Sequence, residues 1–334
     1  MRPADLTSAN TLGLPCMAER FCAPESLTDL QAALAEGRGQ RGPLTLLGGG
    51  SNLILPEHLP GLVIRPAMTR WWLEESEGDT VRVHAEAGVG WHALVMALAA
   101  RGLWGIENLA LIPGHCGAAP IQNIGAYGVE LGEVLEALQV VNLADGREAW
   151  MTPRECAFGY RDSIFKGALD GKVVITRLIL RLSRAPRPQL SYGDLAARVG
   201  ASPSALEVAE AVCAVRREKL PDPAVLGNAG SFFKNPVVEA AQAEALLAES
   251  PGLPHFSQPD GQVKLAAGWL IDQCGLKGCR EGHFGVHERQ ALVLVHFGGG
   301  SADELLAFAE RVAGAVRERF GVLLEREPRL AGKR

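Results

Sequence analysis

The chain has 334 residues, about twice the length of one average domain, so two or three domains are expected. Hydrophobic residues make up 47% of the chain and charged residues 21%, which excludes extended disorder and predicts a sizeable core. The 33 basic and 38 acidic residues give a net charge of −5, and this balance argues against a nucleic-acid binder or a membrane-surface binder.

The cysteines and the apolar segments predict the cellular setting. The chain has 7 cysteines, an odd number with no Cys-x-x-Cys pair, so neither a disulfide framework nor a zinc site is expected. Residues 1–14 lack the apolar run of a signal peptide, and the uncharged stretch 109–129 contains prolines and glycines unsuited to a membrane helix. We therefore expect a soluble cytoplasmic protein with reduced thiols, no metal site and no obligate protein partner.

The first half of the chain alternates short strands with two helices. Ser26 caps a predicted helix over residues 27–36, and alternation of Val81, Val83 and Ala85 predicts a half-buried strand over residues 80–86. Residues 109–129 have no period and predict a loop shaped around a ligand. The other predicted elements are strands near 43–47, 53–55, 62–65, 137–142 and 173–182, and a helix over 91–101.

The second half contains longer helices. A helix is predicted over residues 202–220 with Pro203 in its first turn, and Pro221 and Pro223 then mark a domain boundary. Ser301 and Glu304 have the spacing of a capping box at the start of a helix that ends near residue 320. The remaining predictions are a helix over 264–274, a strand over 290–297 and a strand-like end over 321–330. Strands and helices without regular alternation favour an α+β fold.

Several common catalytic signatures are incomplete. Gly48, Gly49 and Gly50 follow a strand, but residue 53 is Leu where a Rossmann fingerprint needs glycine. Residues 167–172 are one residue short of a P-loop, and residue 291 is Ala where a zincin motif after His287 needs histidine. A nucleophile elbow at Ser51 also lacks its second glycine. These failures argue against a kinase, a nucleotide hydrolase, a metalloprotease and a serine hydrolase.

Two glycine-rich segments have the composition of a ligand cradle. In residues 46–52, a glycine run after a strand lets backbone N–H groups approach an anion, although a tight turn between strands is equally compatible. In residues 111–130, small residues leave room for a flat ligand, with Gln122 and Asn123 offering amide groups at its polar edge. A purely structural loop is the alternative for this segment.

Two further segments carry charged and polar side chains. In residues 158–163, Arg161 lies among aromatic residues, where it can clamp a carboxylate or phosphate or form a surface pair with Asp162. Residues 219–236 contain two lysines, a serine and two asparagines between glycines and prolines. That composition suits a pocket wall for a charged, hydroxylated ligand, or an ordinary loop.

Together these segments resemble one known family. GGGSN, IPGHCGAAPIQNIGAYGVE, FGYRDS, LPDP followed by GNAGSFFKNP, KLAAGWLIDQCGLKG and VHERQALVLV resemble the type I UDP-N-acetylenolpyruvoylglucosamine reductases, the MurB family, over residues 10–332. The resemblance implies a PCMH-type FAD-binding fold of two α+β subdomains plus a C-terminal α+β substrate-binding domain. The implied domains are residues 1–66 completed by 321–334, then 67–219, then 220–320.

The resemblance also implies a reaction and a set of cofactor residues. The family reduces UDP-N-acetylglucosamine-enolpyruvate to UDP-N-acetylmuramate in peptidoglycan synthesis, with non-covalent FAD and with NADPH as co-substrate. The implied FAD-binding residues are Gly48, Gly49, Gly50, Ser51, Asn52, Pro113, Gly114, Gly117, Ala118, Gln122, Asn123, Gly125, Ala126 and Tyr127.

The implied catalytic residues are Arg161, Ser231 and Glu327. Arg161 would grip the enolpyruvyl carboxylate, and Ser231 would donate a proton to the substrate carbon. The family pattern Leu-Glu-x-Glu-Val-Arg assigns the acidic role to Glu327 rather than Glu325, although Pro328 replaces the usual valine and removes a backbone donor. The implied UDP-sugar and diphosphate contacts are Tyr192, Lys219, Asn235 and Gln290.

Two other interpretations stay open at this point. A different flavoprotein of the same superfamily would share the FAD-binding segments but should lack GNAGSFFKNP and QALVLV. A nucleotide-sugar binder without catalytic activity should lack the serine, the arginine or the acid, and all three are present. Cys116 stands where the family often has valine, which indicates a small hydrophobic side chain rather than a redox centre.

Overall fold

The computed structural model describes residues 1–38 and 42–332. Residues 39–41 and 333–334, which belong to the predicted ranges 1–66 and 321–334, lie outside the described residues. The chain forms two compact units. Unit 1 comprises Met1–Ala4, Ala18–Gly50 and Leu59–Glu218, and unit 2 comprises Asp5–Met17, Ser51–His58 and Lys219–Arg334. The three-domain division stays a prediction.

Helices and short strands alternate irregularly along the described chain, as the sequence pattern predicts. The α-helices are α1 Leu27–Arg38, α2 Trp91–Ala99, α3 Leu195–Arg198, α4 Ala205–Lys219, α5 Ala240–Glu249, α6 Ala267–Gln273 and α7 Ala302–Phe320. The strands are β1 Arg2–Asp5, β2 Met17–Cys22, β3 Leu44–Leu46, β4 Leu53–Ile54, β5 His58–Ile64, β6 Trp71–Glu75, β7 Thr80–Glu86, β8 Gly125–Ala126, β9 Val129–Glu130, β10 Leu135–Asn142, β11 Glu148–Met151, β12 Val173–Ser183, β13 Gly227–Ser231, β14 Val237–Val238, β15 His255–Ser257, β16 Val263–Leu265, β17 Arg280–Glu281, β18 Phe284–Val286, β19 Val293–His296 and β20 Arg329–Leu330.

Unit 1 is built around an antiparallel five-stranded sheet in the order β11-β10-β12-β7-β6. Val81, Val83 and Ala85 are fully buried on one face of β7, as their alternation predicts, and they share a core with α2 and α4. A second sheet has the order β1-β2-β5-β3, and α1 packs Leu30 and Leu34 in a cluster with its residues.

Unit 2 has its own core. A four-stranded sheet, β13-β19-β18-β17, and a three-stranded sheet, β14-β16-β15, share one hydrophobic cluster with α6 and α7. On α7, Leu305, Ala309, Val312 and Val316 are buried at the predicted spacing, and each fully buried Leu or Val contributes roughly 1.5–3 kcal/mol. The predicted capping box at Ser301 and Glu304 is present.

Three predicted elements differ from the structure. The helix expected over 202–220 begins at Ala205, because Ser204 Oγ accepts a hydrogen bond from Glu207 N and Pro203 lies before the cap. The helix expected over 264–274 begins at Ala267, because residues 263–265 pair with β14 and β15 as β16. The loop at 109–129 contains a 3₁₀ helix, Cys116–Gln122. Its i→i+3 turns do not produce the apolar periodicity by which an α-helix is predicted from sequence.

The strand-like C-terminal segment forms only one short regular strand. β20 pairs in parallel with β4, and Arg326 forms an isolated antiparallel bridge with Phe233. Alternate residues of this segment therefore bond to different parts of unit 2, which shapes the candidate site. Within residues 1–38 and 42–332, no helix is both long and apolar enough to cross a bilayer.

Candidate functional site

The glycine run of unit 1 packs directly against the second glycine-rich segment. A Cβ atom added to Gly49 would lie 2.5 Å from Gly114 Cα, and one added to Gly48 would lie 2.8 Å from Ala118 Cβ. Gly50 has a left-handed φ of 66°. The N–H groups of these three glycines donate no hydrogen bond to any described residue. Consecutive free N–H groups on a tight turn are typical of an anion-binding site.

Helix α2 holds the second segment in place. Trp91 Nε1 donates to Leu109 O at 3.1 Å, and Leu111 N donates to His92 Nδ1 at 3.0 Å. Gly117 N donates to Ala87 O, and an added Cβ on Gly117 would lie 2.6 Å from Ala87 Cβ. Small residues in this segment thus allow close backbone packing.

Strained backbone coincides with the predicted site residues of unit 1. Asn123, Tyr127 and Arg161 have left-handed φ values of 44°, 51° and 52°, and they are three of the five non-glycine residues with positive φ in the described chain. Each such conformation costs of order 1–3 kcal/mol and is typical of functional sites. The surrounding contacts must therefore hold these residues firmly.

The side chain of Asn123 has a different role from the one expected. Its Nδ2 donates to Glu130 Oε2 at 2.7 Å and to Gly159 O at 3.3 Å, while its Oδ1 accepts from Gly132 N at 2.9 Å. Asn123 is only 2% exposed. The amide that we expected at the polar edge of a ligand therefore forms hydrogen bonds that hold the loop.

Arg161 joins the third segment to the second. Its Nη2 donates to Gly125 O at 2.7 Å, and a Cβ on Gly125 would lie 3.1 Å from Arg161 Nη1. Reciprocal backbone bonds between Gly159 and Asp162 form the tight turn that carries it. Its own carbonyl accepts from Lys166 Nζ at 2.8 Å. The guanidinium is thereby positioned beside the backbone of residues 125–127.

Two tyrosines face each other in the same unit. The ring of Tyr127 meets that of Tyr192 edge-on at 5.6 Å, and Tyr192 is 52% exposed. Asn108 supports this arrangement, because its Nδ2 donates to Tyr127 O and to Gln189 O. The predicted cofactor residue Tyr127 and the predicted substrate residue Tyr192 are therefore in contact.

In unit 2, Ser231 lies at the end of a bulged strand. It pairs with Val293 after a register shift that follows Asn228, and Gly230 supplies a left-handed φ of 68° before it. Asn228 fixes this bulge, since its Oδ1 accepts from Gly230 N and its Nδ2 donates to the carbonyls of Pro221 and Leu226. The hydroxyl of Ser231 makes no hydrogen bond to any described residue.

The C-terminal segment brings Glu327 next to this strand. Glu327 N donates to Phe232 O at 2.9 Å, so the predicted acid is bonded to the residue that follows Ser231. Asn52 belongs to the same network, because its carbonyl accepts from Arg329 N at 3.1 Å and its Nδ2 donates to Glu327 O at 3.4 Å. Ser231, Glu327 and Asn52 therefore lie on adjoining segments of unit 2, with Ser51 preceding Asn52.

Pro328 removes no backbone hydrogen bond from this network. The backbone groups that bond are those of alternate residues: Glu325 O, Glu327 N, Arg329 N and Ala331 N. Residue 328 falls between two of these positions, and it is buried. The replacement of the family's usual valine is thus compatible with the backbone geometry beside Glu327.

Asn235 and Gln290 both touch the start of α6. Asn235 Oδ1 accepts from Ala267 N at 3.0 Å, which caps the helix and leaves its Nδ2 without a partner among the described residues. Gln290 Oε1 lies 2.9 Å from the position of an added Cβ on Gly268. Lys219, the fourth predicted substrate residue, is the exposed last residue of α4.

Comparisons with known proteins match both halves of the chain to one family. Residues 18–152 match the family model "FAD binding domain", and residues 222–331 match "UDP-N-acetylenolpyruvoylglucosamine reductase, C-terminal domain". The chain is 50% identical to the UDP-N-acetylenolpyruvoylglucosamine reductase of Chromobacterium violaceum, over 97% of this chain and 96% of that protein. It is 49% identical to that of Pseudomonas aeruginosa, over 96% of each chain.

A solved structure agrees as well. The crystal structure of UDP-N-acetylenolpyruvylglucosamine reductase (MurB) from Thermus caldophilus covers 98% of both chains at 27% identity, with a TM-score of 0.68. Fold and matches together define the class: an FAD-binding oxidoreductase, which confirms the predicted α+β FAD-binding fold. The chain belongs to the UDP-N-acetylenolpyruvoylglucosamine reductase family.

The residues of the glycine cradle fit FAD. The free N–H groups of Gly48, Gly49 and Gly50 suit a diphosphate, and side chains larger than hydrogen at Gly48 or Gly49 would meet residues 114–118. No grouping of three or more His, Cys, Asp or Glu residues within the described ranges could hold a metal ion.

Sequence reasoning missed three supporting residues. His92 and Asn108 act through hydrogen bonds to loop backbone, and no motif marks such contacts in advance. The sequence does contain a signal for Arg216. It follows Val212 by four residues and so lies on the buried face of α4, where a charged residue is unusual.

Proposed function

We propose that this protein uses NADPH to reduce the enolpyruvyl ether of UDP-N-acetylglucosamine-enolpyruvate to a lactyl ether, which yields UDP-N-acetylmuramate for peptidoglycan synthesis. The reaction adds a hydride to one alkene carbon and a proton to its neighbour, and it oxidises NADPH to NADP⁺. FAD, when bound, supplies the hydride relay between the two substrates. Cytoplasmic action is part of the proposal, since the seven cysteines are free thiols.

One observation carries the proposal: the hydrogen bond from Glu327 N to Phe232 O in unit 2. It holds the predicted acid beside the strand end that presents Ser231, as a reduction completed by protonation requires. The bulge fixed by Asn228 and Gly230 aims a hydroxyl that no described residue engages. A general acid must be positioned before its acidity matters.

Each proposed residue has a defined task. Ser231 donates its hydroxyl proton to the substrate carbon, and Glu327 orients the donor and the developing charge. Arg161 binds the enolpyruvyl carboxylate through its guanidinium, which a bidentate contact would hold in one orientation. Tyr192, Lys219, Asn235 and Gln290 are proposed to hold the UDP-sugar and its diphosphate.

The decisive experiment separates the two halves of the reaction in the FAD-loaded protein. Under anaerobic conditions NADPH should bleach the flavin absorbance, and UDP-N-acetylglucosamine-enolpyruvate should restore it. Ser231→Ala should keep the first step and slow the second by about 10²–10⁴-fold, the usual contribution of a positioned acid. Stopped-flow absorbance measures both rates.

Two results would contradict the proposal at different levels. A reduced wild-type protein that the enolpyruvyl nucleotide leaves bleached would exclude the proposed substrate. A Ser231→Ala variant that restores absorbance at the wild-type rate would exclude only the role of Ser231. Ser257→Ala, at an exposed position of β15, is the matched control and should change neither rate.

A further inference from the structure

Arg216 lies on the inward side of α4 in unit 1. Val212 precedes it by one helical turn, and Val212, Cys213 and Val215 are all buried in the core of this unit. Part of the Arg216 side chain reaches the surface, but its Nε atom is completely buried. A guanidinium in this position has lost much of its hydration.

No described residue compensates that charge with a hydrogen bond or an ion pair. Arg216 makes no hydrogen bond and no ion pair with any residue in ranges 1–38 and 42–332, and its Nε is without a partner. Burial lowers the pKa of Arg216, and the charge of Arg161 acts in the same direction, while the side chains of Tyr127 and Cys213 oppose it. A buried cation with no counter-charge is costly, which indicates that an anion from outside the chain completes the arrangement.

The neighbours of Arg216 are predicted ligand residues. Arg161 and Tyr127 lie within electrostatic range of its guanidinium, and Tyr127 contacts Tyr192. The acidic groups of this region are engaged elsewhere, because Glu130 accepts from Asn123 and Asp194 pairs with Arg198. Two guanidinium groups and two phenols therefore lie in the same region of unit 1, and no described carboxylate forms an ion pair with Arg216.

We propose that Arg216 is a further binding residue for an oxyanion of the nucleotide-sugar substrate, either its enolpyruvyl carboxylate or its diphosphate. The inference rests on the proposed function and adds a residue to the same site. Guanidinium groups bind both oxyanions through paired N–H donors, and an anion between Arg161 and Arg216 removes their mutual repulsion. Arg216 thus complements Arg161 rather than replacing it.

Equilibrium titration of the oxidised, FAD-loaded protein tests this inference. UDP-N-acetylglucosamine-enolpyruvate and UDP-N-acetylglucosamine are titrated separately, and the change in flavin absorbance reports binding. Arg216→Gln should weaken binding of the enolpyruvyl nucleotide at least tenfold, as expected for loss of a hydrogen bond to a charged group. The matched control is Arg217→Gln, an exposed neighbour on the same helix, which should bind as the wild type does.

The two ligands distinguish the two oxyanions. If Arg216 binds the carboxylate, Arg216→Gln weakens only the enolpyruvyl nucleotide; if it binds the diphosphate, both ligands weaken to the same extent. Wild-type affinity for both ligands in Arg216→Gln, or an equal loss in Arg217→Gln, would overturn the inference. A wild-type protein that binds neither ligand would instead overturn the proposed function.

A second variant guards against a folding defect. Arg216→Lys keeps the charge but loses the planar fork of donors, so it should fold with the wild-type thermal midpoint and still bind more weakly than the wild type. Unchanged binding by a folded Arg216→Lys protein would contradict a paired contact with an oxyanion, even if Arg216→Gln could not be purified.

Discussion

At the residue scale, Glu325 and Glu327 differ in their surroundings although only one residue separates them. The carboxylate of Glu325 pairs with Lys234 Nζ at 2.6 Å, and its side chain is 71% exposed. Glu327 is partly buried, and its backbone bonds to Phe232 and to Asn52. The structure thus supports the family pattern, which assigns the acidic role to Glu327.

Glu327→Gln should therefore be far more damaging than Glu325→Gln. Removing the Glu327 carboxylate should lower kcat/KM for the enolpyruvyl nucleotide about 10²-fold or more, since groups that position a catalytic acid act with it. Glu325→Gln removes only an exposed ion pair, worth about 0–1 kcal/mol, and should leave kcat/KM close to wild type. Steady-state NADPH oxidation measures both variants, and the reverse order would exchange the two assignments.

Residue-scale predictions of the site depend on motifs. The segments FGYRDS and GNAGSFFKNP assign roles to Arg161 and Ser231 by resemblance, and these assignments stay predictions. No motif marks Arg216. It stands out because no described residue pairs with its buried charge, and that depends on how other segments pack around it. Asn123 is the opposite case. Its amide group could bind a ligand, but in the structure it bonds to Glu130 and Gly132 within the loop.

At the element scale, local signals predicted the start of α7 but not the pairing partners of the strands. Ser301 and Glu304 form the predicted capping box, and Thr80–Glu86 is a strand with the predicted inward face. The helix predicted over 264–274 includes Lys264 and Leu265, which belong to β16 in the structure. Pairing with β14 and β15 decides the conformation, and a contact between distant segments is invisible to a local pattern.

The glycine turn beside residues 114–118 gives an element-scale prediction. Gly49→Ala places a Cβ 2.5 Å from Gly114 Cα, so backbone must move, at a cost of about 1–3 kcal/mol. We expect a lower thermal midpoint and loss of FAD on gel filtration. Gly200→Ala is the matched control in unit 1, because an added Cβ there meets nothing within 4 Å. Retention of FAD by Gly49→Ala would argue against the cradle.

At the scale of the whole molecule, partly buried histidines predict acid sensitivity. Burial lowers the pKa of His92, His115 and His287. As the pH falls to about 6.5, these side chains begin to protonate in the unfolded chain but stay neutral in the folded protein. The unfolded chain then binds more protons, and stability falls as pH decreases below that value. Glu107 opposes this trend, because burial raises its pKa.

We expect the free energy of unfolding to decrease between pH 7 and pH 5, as measured by urea denaturation at each pH. His92→Asn should flatten this dependence, since an amide oxygen can accept from Leu111 N without titrating. His255→Asn, at an exposed histidine, is the control and should keep the wild-type slope. An identical slope in wild type and His92→Asn would show that His92 does not contribute.

The thiols give a second prediction for the whole molecule. Four cysteines are buried, and burial raises the pKa of Cys16 to about 11 and of Cys156 to about 12, with Cys116 and Cys213 shifted in the same direction. Ellman's reagent should therefore react with at most three thiols of the native protein and with all seven after unfolding. Rapid reaction of Cys116 would contradict its role as a small hydrophobic side chain.

The amino-acid sequence alone determined the composition class, most helices, the glycine-rich segments and, through resemblance, the family and its reaction. Those features depend on side-chain chemistry and on spacing along the chain. Only the tertiary structure decided that, among the described residues, the N–H groups of Gly48–Gly50 and the Arg216 guanidinium have no partner, and that Pro328 interrupts no backbone hydrogen bond beside Glu327. Each of these depends on distances between segments far apart in sequence, because burial and hydrogen bonding are settled only when the chain is packed.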